Sequence, residues 1–398
     1  MLSVFRSLKH RCQLGCLLGA LVGLLGCGGE VRFAPDELLR ANSGLSPEQS
    51  AAIDAALLEW FGTPDEPKLP EGLAEAGQLL DLELLKQAAG PVESHTPGVT
   101  HGLYRRHCAR CHGVTGDGRG PTALYQDPYP RDFRLGVFKW KSTRRDAPPT
   151  DADLHALLER GAPGTAMPSF ALLTIEERES LKQYLQYLAL RGAAERELIR
   201  FTAEELPAEQ AFDHANEAMQ AVLIDHLAQT VQDWLNASDA VVWPDESIGS
   251  DGLVALGRDL YHSQQAGCAK CHGQAGQGGA KPGVDYEIDF DAWSRPRVDA
   301  ANPQDDFGHA LAKQLPPRDA RPRAIVGEAL RGGGSPLDLF RRLHQGVAGT
   351  PMPALGARRT GEEATLSDRE IMAIAQYVAT LTPAAETPSY DNQTRAAR

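Results

Sequence analysis

The feature that most constrains this chain is a five-residue motif, C-x-x-C-H, which occurs twice, over 108–112 and over 268–272. This spacing is the attachment site of a c-type haem. Two thiols three positions apart lie on one helical turn, so each can form a thioether with one vinyl group of the haem. The histidine that follows then becomes the proximal ligand of the iron. The sequence therefore predicts two covalently bound haem c groups, attached through Cys108, Cys111, His112, Cys268, Cys271 and His272.

The cysteine count leaves little room for other chemistry. Of the seven cysteines, four lie in the two motifs, and Cys12, Cys16 and Cys27 lie near the N-terminus, so none remains for a structural disulfide. A zinc site and a thioredoxin-like dithiol are the alternatives. A zinc site would need four ligands clustered together. Each motif is instead accompanied by a matching candidate for a distal haem ligand, which favours haem attachment.

That distal ligand is predicted from an internal repeat. The pattern G-x-x-G-T-x-M-P occurs at 161–168 and again at 346–353, once after each haem motif. The chain has only five methionines, and Met167 and Met352 occupy equivalent positions in this pattern. A methionine that only fills a core has no reason to recur in this setting. We therefore expect Met167 and Met352 to be the axial ligands opposite the histidines.

Ligation by two histidines is the alternative to a methionine ligand. His107 is sterically excluded because it immediately precedes Cys108 on the proximal side. The remaining candidates are His155, His309 and His344.

A proline follows each haem histidine after a glycine-rich stretch, Pro121 in the first case and Pro282 in the second. We expect the carbonyl of each proline to accept a hydrogen bond from the other imidazole N–H, which would fix the ring and its tautomer. An ordinary turn residue is the alternative for Pro121.

The first 27 residues read as a targeting segment. Arg6, Lys9 and Arg11 form a positive region, and an apolar run over 14–25 leads to Leu-Gly-Cys ending at Cys27. This resembles a bacterial lipoprotein signal, in which the cysteine becomes the lipidated first residue. A plain signal peptide or an uncleaved anchor is the alternative. The sequence predicts a protein on the periplasmic side of a bacterial membrane, anchored by lipid at Cys27, with no later run long enough to cross a bilayer.

Acidic residues outnumber basic ones by 53 to 40 in the 398-residue chain. This balance argues against nucleic-acid binding and favours a protein with a charged docking surface. The predicted segments are a signal peptide at 1–26, a helical N-terminal segment at 27–95, a first repeat at 96–192, a helical connector at 193–249, a second repeat at 250–383 and a disordered tail at 384–398. Within the second repeat, the extra stretch 283–320 is predicted to be a surface loop.

Helix starts are marked by capping boxes, in which a serine or threonine is followed three residues later by glutamate or glutamine. We predict them at Ser46, at Thr174 and at Ser367. The latter two begin the closing helices of the two repeats.

Taken together, the haem motifs, methionine loops and closing helices of both repeats resemble class I cytochrome c domains. The resemblance implies an all-α fold, with two class I cytochrome c domains plus helical N-terminal and connecting segments, in which each haem has one exposed edge. The stretch 130–139 is similar to segments of bacterial respiratory cytochromes c. Its counterpart in the second repeat is the degraded stretch 321–325. Basic residues of both stretches are candidate partners of the haem propionates, the alternative being solvated surface side chains. These are Arg131, Arg134, Lys139, Arg321 and Arg323.

The resemblance implies a carrier of single electrons with no catalytic residues of its own. Its donor would be a quinol-oxidising complex or a periplasmic dehydrogenase, and its acceptor a terminal oxidase or reductase. The segments 28–92 and 193–250, which a free carrier does not need, favour a fixed subunit of a respiratory complex instead. A third hypothesis is a dihaem enzyme, such as a cytochrome c peroxidase or a thiosulfate dehydrogenase. A peroxidase would need a replaceable distal ligand and a nearby acid–base residue.

Overall fold

The structure is a computed structural model that describes residues 31–93, 100–238, 240–244, 252–278, 288–289, 315, 318–319, 322–327, 330–348, 350 and 352–382. Several predictions concern residues outside these ranges. They are the signal peptide with Cys27, Pro282, His309, Arg321, most of the 283–320 stretch and the tail 384–398.

Nearly all regular secondary structure in the described residues is helical, which confirms the all-α prediction. The helices are α1 Glu37–Asn42, α2 Pro47–Phe61, α3 Ala76–Leu79, α4 Leu82–Ala88, α5 Leu103–His107, α6 Ala109–His112, α7 Asp151–Arg160, α8 Ile175–Glu204, α9 Glu217–Leu235, α10 Leu253–His262, α11 Cys268–His272, α12 Pro336–Gln345 and α13 Asp368–Leu381. Two 3₁₀ turns span Ala123–Tyr125 and Phe133–Leu135. Two strands of two residues each, β1 Ile288–Asp289 and β2 Arg318–Asp319, form an antiparallel pair. None of the helices in the described ranges is long and apolar enough to span a bilayer.

The three predicted capping boxes are confirmed at the starts of α2, α8 and α13. Two further boxes begin α7 and α12, where Thr150 pairs with Asp153 and Ser335 pairs with Asp338. The sequence pattern missed both because aspartate replaces the usual glutamate at the third helical position. The extra boxes extend the correspondence between the repeats to the helix that precedes each methionine loop.

The N-terminal segment is not a separate body but part of the core of the first repeat. Phe61 of α2 is fully buried, and its carbonyl accepts a hydrogen bond from the Tyr187 hydroxyl of α8. Arg40, itself 5% exposed, forms an ion pair with Glu195 at 2.8 Å. The segment packs along α8 in the same hydrophobic cluster, which explains why it is rich in large apolar residues.

The predicted boundary at 192/193 is wrong, because α8 runs through it without interruption to Glu204. Its apolar face continues past the boundary with Ala194, Leu198 and Ile199, all of which are buried. These residues pack in one cluster with Leu223 and Leu227 of α9. The first repeat, the N-terminal segment and most of the connector therefore share one hydrophobic core.

The second repeat has its own core, in which α10 packs against α13. The two helices approach most closely at Gly257, where a Cβ atom would overlap the Ala373 carbonyl. Tyr261 and Ile374 are completely buried in this core. The C-terminal end of the connector packs against this core, since the Trp243 ring lies edge-on against Phe340 of α12 with ring centroids 5.4 Å apart.

Candidate functional site

The first haem motif forms the short helix α6, and the loop that follows it folds back tightly. Gly113 ends the helix at a φ of 76°, a conformation that favours glycine. Tyr104, which is buried, donates its hydroxyl to the Gly113 carbonyl at 3.0 Å, and the Gly118 N–H donates to the His112 carbonyl at 2.9 Å. These bonds hold the backbone of the haem histidine from both sides.

The His112 imidazole is positioned by a carbonyl from a distant turn. Its Nδ1 atom lies 2.9 Å from the carbonyl oxygen of Arg131, and its ring stacks on Phe133 with centroids 4.3 Å apart. A carbonyl only accepts, so Nδ1 carries the proton and Nε2 keeps its lone pair. Burial lowers the pKa of His112 to about 4, which keeps the ring neutral. Neutral imidazole with a free Nε2 is the form that binds iron.

The prediction that the Pro121 carbonyl orients His112 is wrong. The loop after α6 returns onto the Cys111 end of the helix, where the Gly120 N–H donates to the Cys111 carbonyl at 3.0 Å. Pro121 consequently lies exposed beyond that end, and the chain reaches the imidazole only at Arg131.

The second repeat uses the same arrangement. Nδ1 of His272 lies 3.0 Å from the carbonyl of Arg323, which takes the role predicted for Pro282. Arg131 and Arg323 each directly follow a proline. The repeated Pro-Arg pair is the sequence signal that could have identified the carbonyl groups that accept the imidazole hydrogen bonds.

A cavity that is open to solvent lies beside α6. Cys108, Cys111 and His112 are on its lining, together with Met167. Most of the other lining residues are apolar, among them Phe133, Phe138, Leu157, Leu158, Phe170 and Leu185. The cavity thus combines two thiols, a neutral imidazole and a thioether with an apolar surround, which is the set of groups that a covalently attached haem requires. The residues present therefore fit haem c.

Hydrogen bonds of a threonine side chain stabilise the methionine loop of the first repeat. The Thr165 hydroxyl donates to the Ala162 carbonyl at 2.7 Å and accepts from the Met167 N–H at 3.2 Å. The loop starts at Gly161, whose φ of 72° and close approach to the Met167–Pro168 backbone leave no space for a Cβ atom. The sequence pattern G-x-x-G-T-x-M-P therefore describes one compact turn.

The equivalent loop of the second repeat is built alike. The Thr350 hydroxyl donates to the Val347 carbonyl at 2.9 Å and accepts from the Met352 N–H at 3.2 Å. The proximal side also corresponds, because Tyr261 donates to the Gly273 carbonyl at 2.9 Å.

The histidines proposed as alternative ligands are engaged elsewhere where the structure describes them. Nε2 of His155 lies 2.9 Å from a carboxylate oxygen of Glu179 on the outside of α7. His344 is 2% exposed and lies between Arg144 and Asp368, with Nε2 at 3.3 Å and 3.4 Å from their side chains. Neither lines the cavity of the first repeat.

Among the expected propionate partners, Arg131 and Lys139 line the cavity and Arg134 does not. Arg134 is instead buried in a two-pronged ion pair with Asp132, with nitrogen–oxygen distances of 2.7 Å and 3.0 Å. Its expected role as a propionate partner is therefore wrong.

The four cysteines of the haem motifs, which the structure describes, belong to no cluster of metal ligands. Burial raises the pKa of Cys108 to about 12 and that of Cys268 to about 11, so both are thiols at neutral pH. No cluster of three or more histidine, cysteine or acidic side chains suited to a metal ion occurs within the ranges that the structure describes. The zinc alternative therefore finds no ligand set there.

Comparison with known proteins gives one family match, to the part of the chain that forms this cavity. Residues 100–185 match the family model of the cbb3-type cytochrome c oxidase subunit III, a stretch that includes Cys108, Cys111, His112 and Met167. No curated protein matches the chain. One solved structure is similar at 24% identity, the reducing HAO-like protein complex Kustc0457/Kustc0458 of Kuenenia stuttgartiensis, over 71% of this chain and 94% of that one with a TM-score of 0.44.

The family match and the cavity both include Cys108, Cys111, His112 and Met167 of the first repeat. The match supports a cytochrome c domain over residues 100–185, and with it a covalently bound haem c and a role in electron transfer.

Proposed function

We propose that the protein is a dihaem c-type cytochrome that transfers single electrons. Each iron would be bound by one histidine and one methionine, His112 with Met167 and His272 with Met352. The haem supplies the one-electron chemistry when bound. The protein's own residues attach the haem, fix the imidazole tautomer and surround the porphyrin with apolar side chains.

The observation that carries the second haem is the repetition of hydrogen bonds from one repeat to the other. The proximal histidine bonds to the carbonyl of an arginine at 2.9 Å in the first repeat and 3.0 Å in the second. The methionine N–H bonds to a threonine hydroxyl at 3.2 Å in both. A degenerate copy without haem would have no reason to keep the geometry on both sides of the iron.

We further propose that the protein works in a bacterial respiratory chain. Its donor would be a quinol-oxidising complex or a periplasmic dehydrogenase, and its acceptor a terminal oxidase or reductase. The match of residues 100–185 to an oxidase-subunit family supports this setting. The lipoprotein-type signal supports attachment at Cys27 on the periplasmic side. The large core that joins residues 33–92 to the first repeat supports a fixed subunit more than a small free shuttle.

Haem stoichiometry tests the proposal directly. The full chain, matured with haem, is denatured in alkaline pyridine, and the haem per polypeptide is measured for the wild type and two double variants. We expect two haems in the wild type and one each in Cys108→Ala/Cys111→Ala and Cys268→Ala/Cys271→Ala. One haem in the wild type, unchanged by the second double variant, would contradict the dihaem assignment.

An optical redox titration, followed by addition of carbon monoxide to the reduced protein, then separates a carrier from an enzyme. Histidine–methionine ligation leaves no open iron position and raises the haem potential. We therefore expect two low-spin haems at positive potentials and no spectral shift with carbon monoxide. A haem that binds carbon monoxide would support a dihaem enzyme of the peroxidase type instead.

A further inference from the structure

The two repeats meet through a segment of the first repeat, 139–147, which lies against α12 and the turn before it. Nε2 of Gln345 donates to the Lys141 carbonyl at 2.7 Å, and both groups are buried. Arg145 donates to the Gln345 carbonyl at 2.9 Å. Gln345 directly precedes Gly346, so this contact anchors the start of the Met352 loop to the first repeat.

The reciprocal contact is made by the turn 330–333 of the second repeat. The Gly332 N–H donates to the carbonyl of Pro163, which belongs to the Met167 loop, at 3.2 Å. Arg331 donates to the Asp127 carbonyl at 3.2 Å. Each methionine loop therefore lies against the opposite repeat, and the two loops border one shared contact zone.

Trp140 occupies the centre of this zone. Its side chain lines the cavity that holds Cys108, His112 and Met167. Its indole also lies directly against Gly332, because a Cβ atom at position 332 would overlap the Cδ1 and Nε1 atoms of the ring. One aromatic side chain thus touches both the first haem cavity and the backbone of the second repeat.

Arg342 continues the contact towards the second haem site. Its guanidinium donates to the carbonyls of Arg331 at 2.7 Å and Gly333 at 2.8 Å, which holds the turn against Trp140. The ungapped correspondence of the repeats places Arg342 where the first repeat has Leu157, and Leu157 lines the first cavity. Packed groups therefore run from the first cavity through Trp140 and the 331–333 turn to the helix expected to line the second.

We propose that Trp140 is the contact through which the two haem sites exchange electrons. The inference rests on the proposed second haem. With both haems bound, one electron would pass from Fe(II) at one site to Fe(III) at the other, so that one iron would be oxidised and the other reduced, with no bond broken and no proton moved. The indole is not itself oxidised. It shortens the gap that the electron must tunnel across, because electronic coupling decays less steeply through a packed aromatic group than through empty space.

The test uses the haem-loaded full chain after a haem count. A pulse of reductant delivers less than one electron per molecule, and freeze-quench EPR follows the redistribution of that electron between the two haems. We expect the exchange rate to fall on the order of tenfold in Trp140→Leu and to stay near the wild-type rate in Trp140→Phe, which keeps an aromatic ring.

A second pair of variants displaces the indole without removing it. Gly332→Ala introduces a Cβ atom against the ring, and we expect it to slow exchange as Trp140→Leu does. Gly361→Ala is the matched control, since Gly361 has a similar positive φ of 86°, against 77° for Gly332, but nothing within 4 Å of an added Cβ atom. We expect it to leave the exchange rate unchanged.

A structural readout accompanies the rates. Magnetic relaxation between the two oxidised haems depends on the distance between the irons, and we expect it to be the same in Trp140→Leu as in the wild type. If two haems are present and the exchange rate is unchanged in Trp140→Leu and Gly332→Ala, the role of Trp140 is overturned while the proposed function stands. One haem in the wild type overturns this inference together with the proposed function.

Discussion

Nδ1 of His112 lies 2.9 Å from the carbonyl oxygen of Arg131, and this bond joins the haem-binding helix to a turn 19 residues further along the chain. The pair formed by Asp132 and Arg134, which follow Arg131 in the same turn, stabilises this turn. Asp132 accepts hydrogen bonds from the backbone N–H of Arg134 at 3.0 Å and from its guanidinium at 2.7 Å. The orientation of the His112 imidazole therefore depends on a buried ion pair, Asp132 with Arg134, neither of which lines the cavity.

Removal of one partner of this pair should destabilise the protein strongly. Asp132→Ala leaves the Arg134 guanidinium, which is 7% exposed, without its counter-charge. We expect a loss of about 3–5 kcal/mol in the free energy of unfolding, because an uncompensated charge stays buried. Denaturant titration of the haem-loaded chain measures it. Glu83→Ala is the control, since the Glu83–Lys86 pair is exposed on both sides and its loss should cost about 0–1 kcal/mol. Equal effects of the two variants would contradict the role of the Asp132–Arg134 pair.

Methionine ligation is testable one site at a time. In Met167→Ala and Met352→Ala, we expect one haem each to become open to carbon monoxide, because the sixth ligand is removed. Met219→Ala is the control. Its sulfur accepts the Asp213 N–H at 3.4 Å in the connector and belongs to neither loop, so both haems should stay closed. The measurement is the carbon monoxide difference spectrum of the reduced protein. If either loop variant left both haems closed, a histidine or another side chain would be the true ligand.

Acid stability should depend on Glu179. The hydrogen bond from His155, with further ones from Lys182 and Gln183, lowers the pKa of Glu179 to about 2, although burial opposes the shift. A carboxyl group with a lowered pKa in the folded state stabilises the fold above its unfolded value of 4.5, and the contribution is lost as the pH falls towards 2. We therefore expect Glu179→Gln to flatten the decline of the melting temperature over that interval.

The control for this experiment is Glu71→Gln, at an exposed position, which should retain the wild-type decline. The melting temperature is followed by circular dichroism at a series of pH values. A decline as steep in Glu179→Gln as in the wild type would show that Glu179 does not contribute to acid stability.

The N-terminal segment should be essential to the first repeat. Phe61 is completely buried against Tyr187 at a ring separation of 6.0 Å. We expect Phe61→Ala to cost about 3–5 kcal/mol, because it removes a large apolar side chain and leaves a cavity. Leu172→Ala, at a fully exposed position, should change stability by less than about 0.5 kcal/mol. Denaturant titration compares the two variants. A small effect of Phe61→Ala would mean that the N-terminal segment contributes little to the stability of the first repeat.

Local chemistry was readable from the sequence because it depends on residues close together in the chain. The C-x-x-C-H spacing, the methionine loops and the capping boxes at Ser46, Thr174 and Ser367 are each completed within eight residues or fewer. In such motifs the backbone conformation is set by neighbours, so the pattern carries the geometry. In both methionine loops the threonine hydroxyl accepts a hydrogen bond from the methionine N–H, so the repeated pattern corresponds to a repeated turn.

Only the tertiary structure decided which distant groups meet. The acceptor for the His112 imidazole is Arg131 and not Pro121, because the loop after α6 folds back before it reaches the ring. The end of α8 lies at Glu204 and not near 192, because the N-terminal segment and α9 cover its continuing apolar face. The sequence by itself determined the type of cofactor chemistry, whereas the acceptors, the shared core and the Trp140–Gly332 contact depend on long-range packing, whose free energy no local pattern contains.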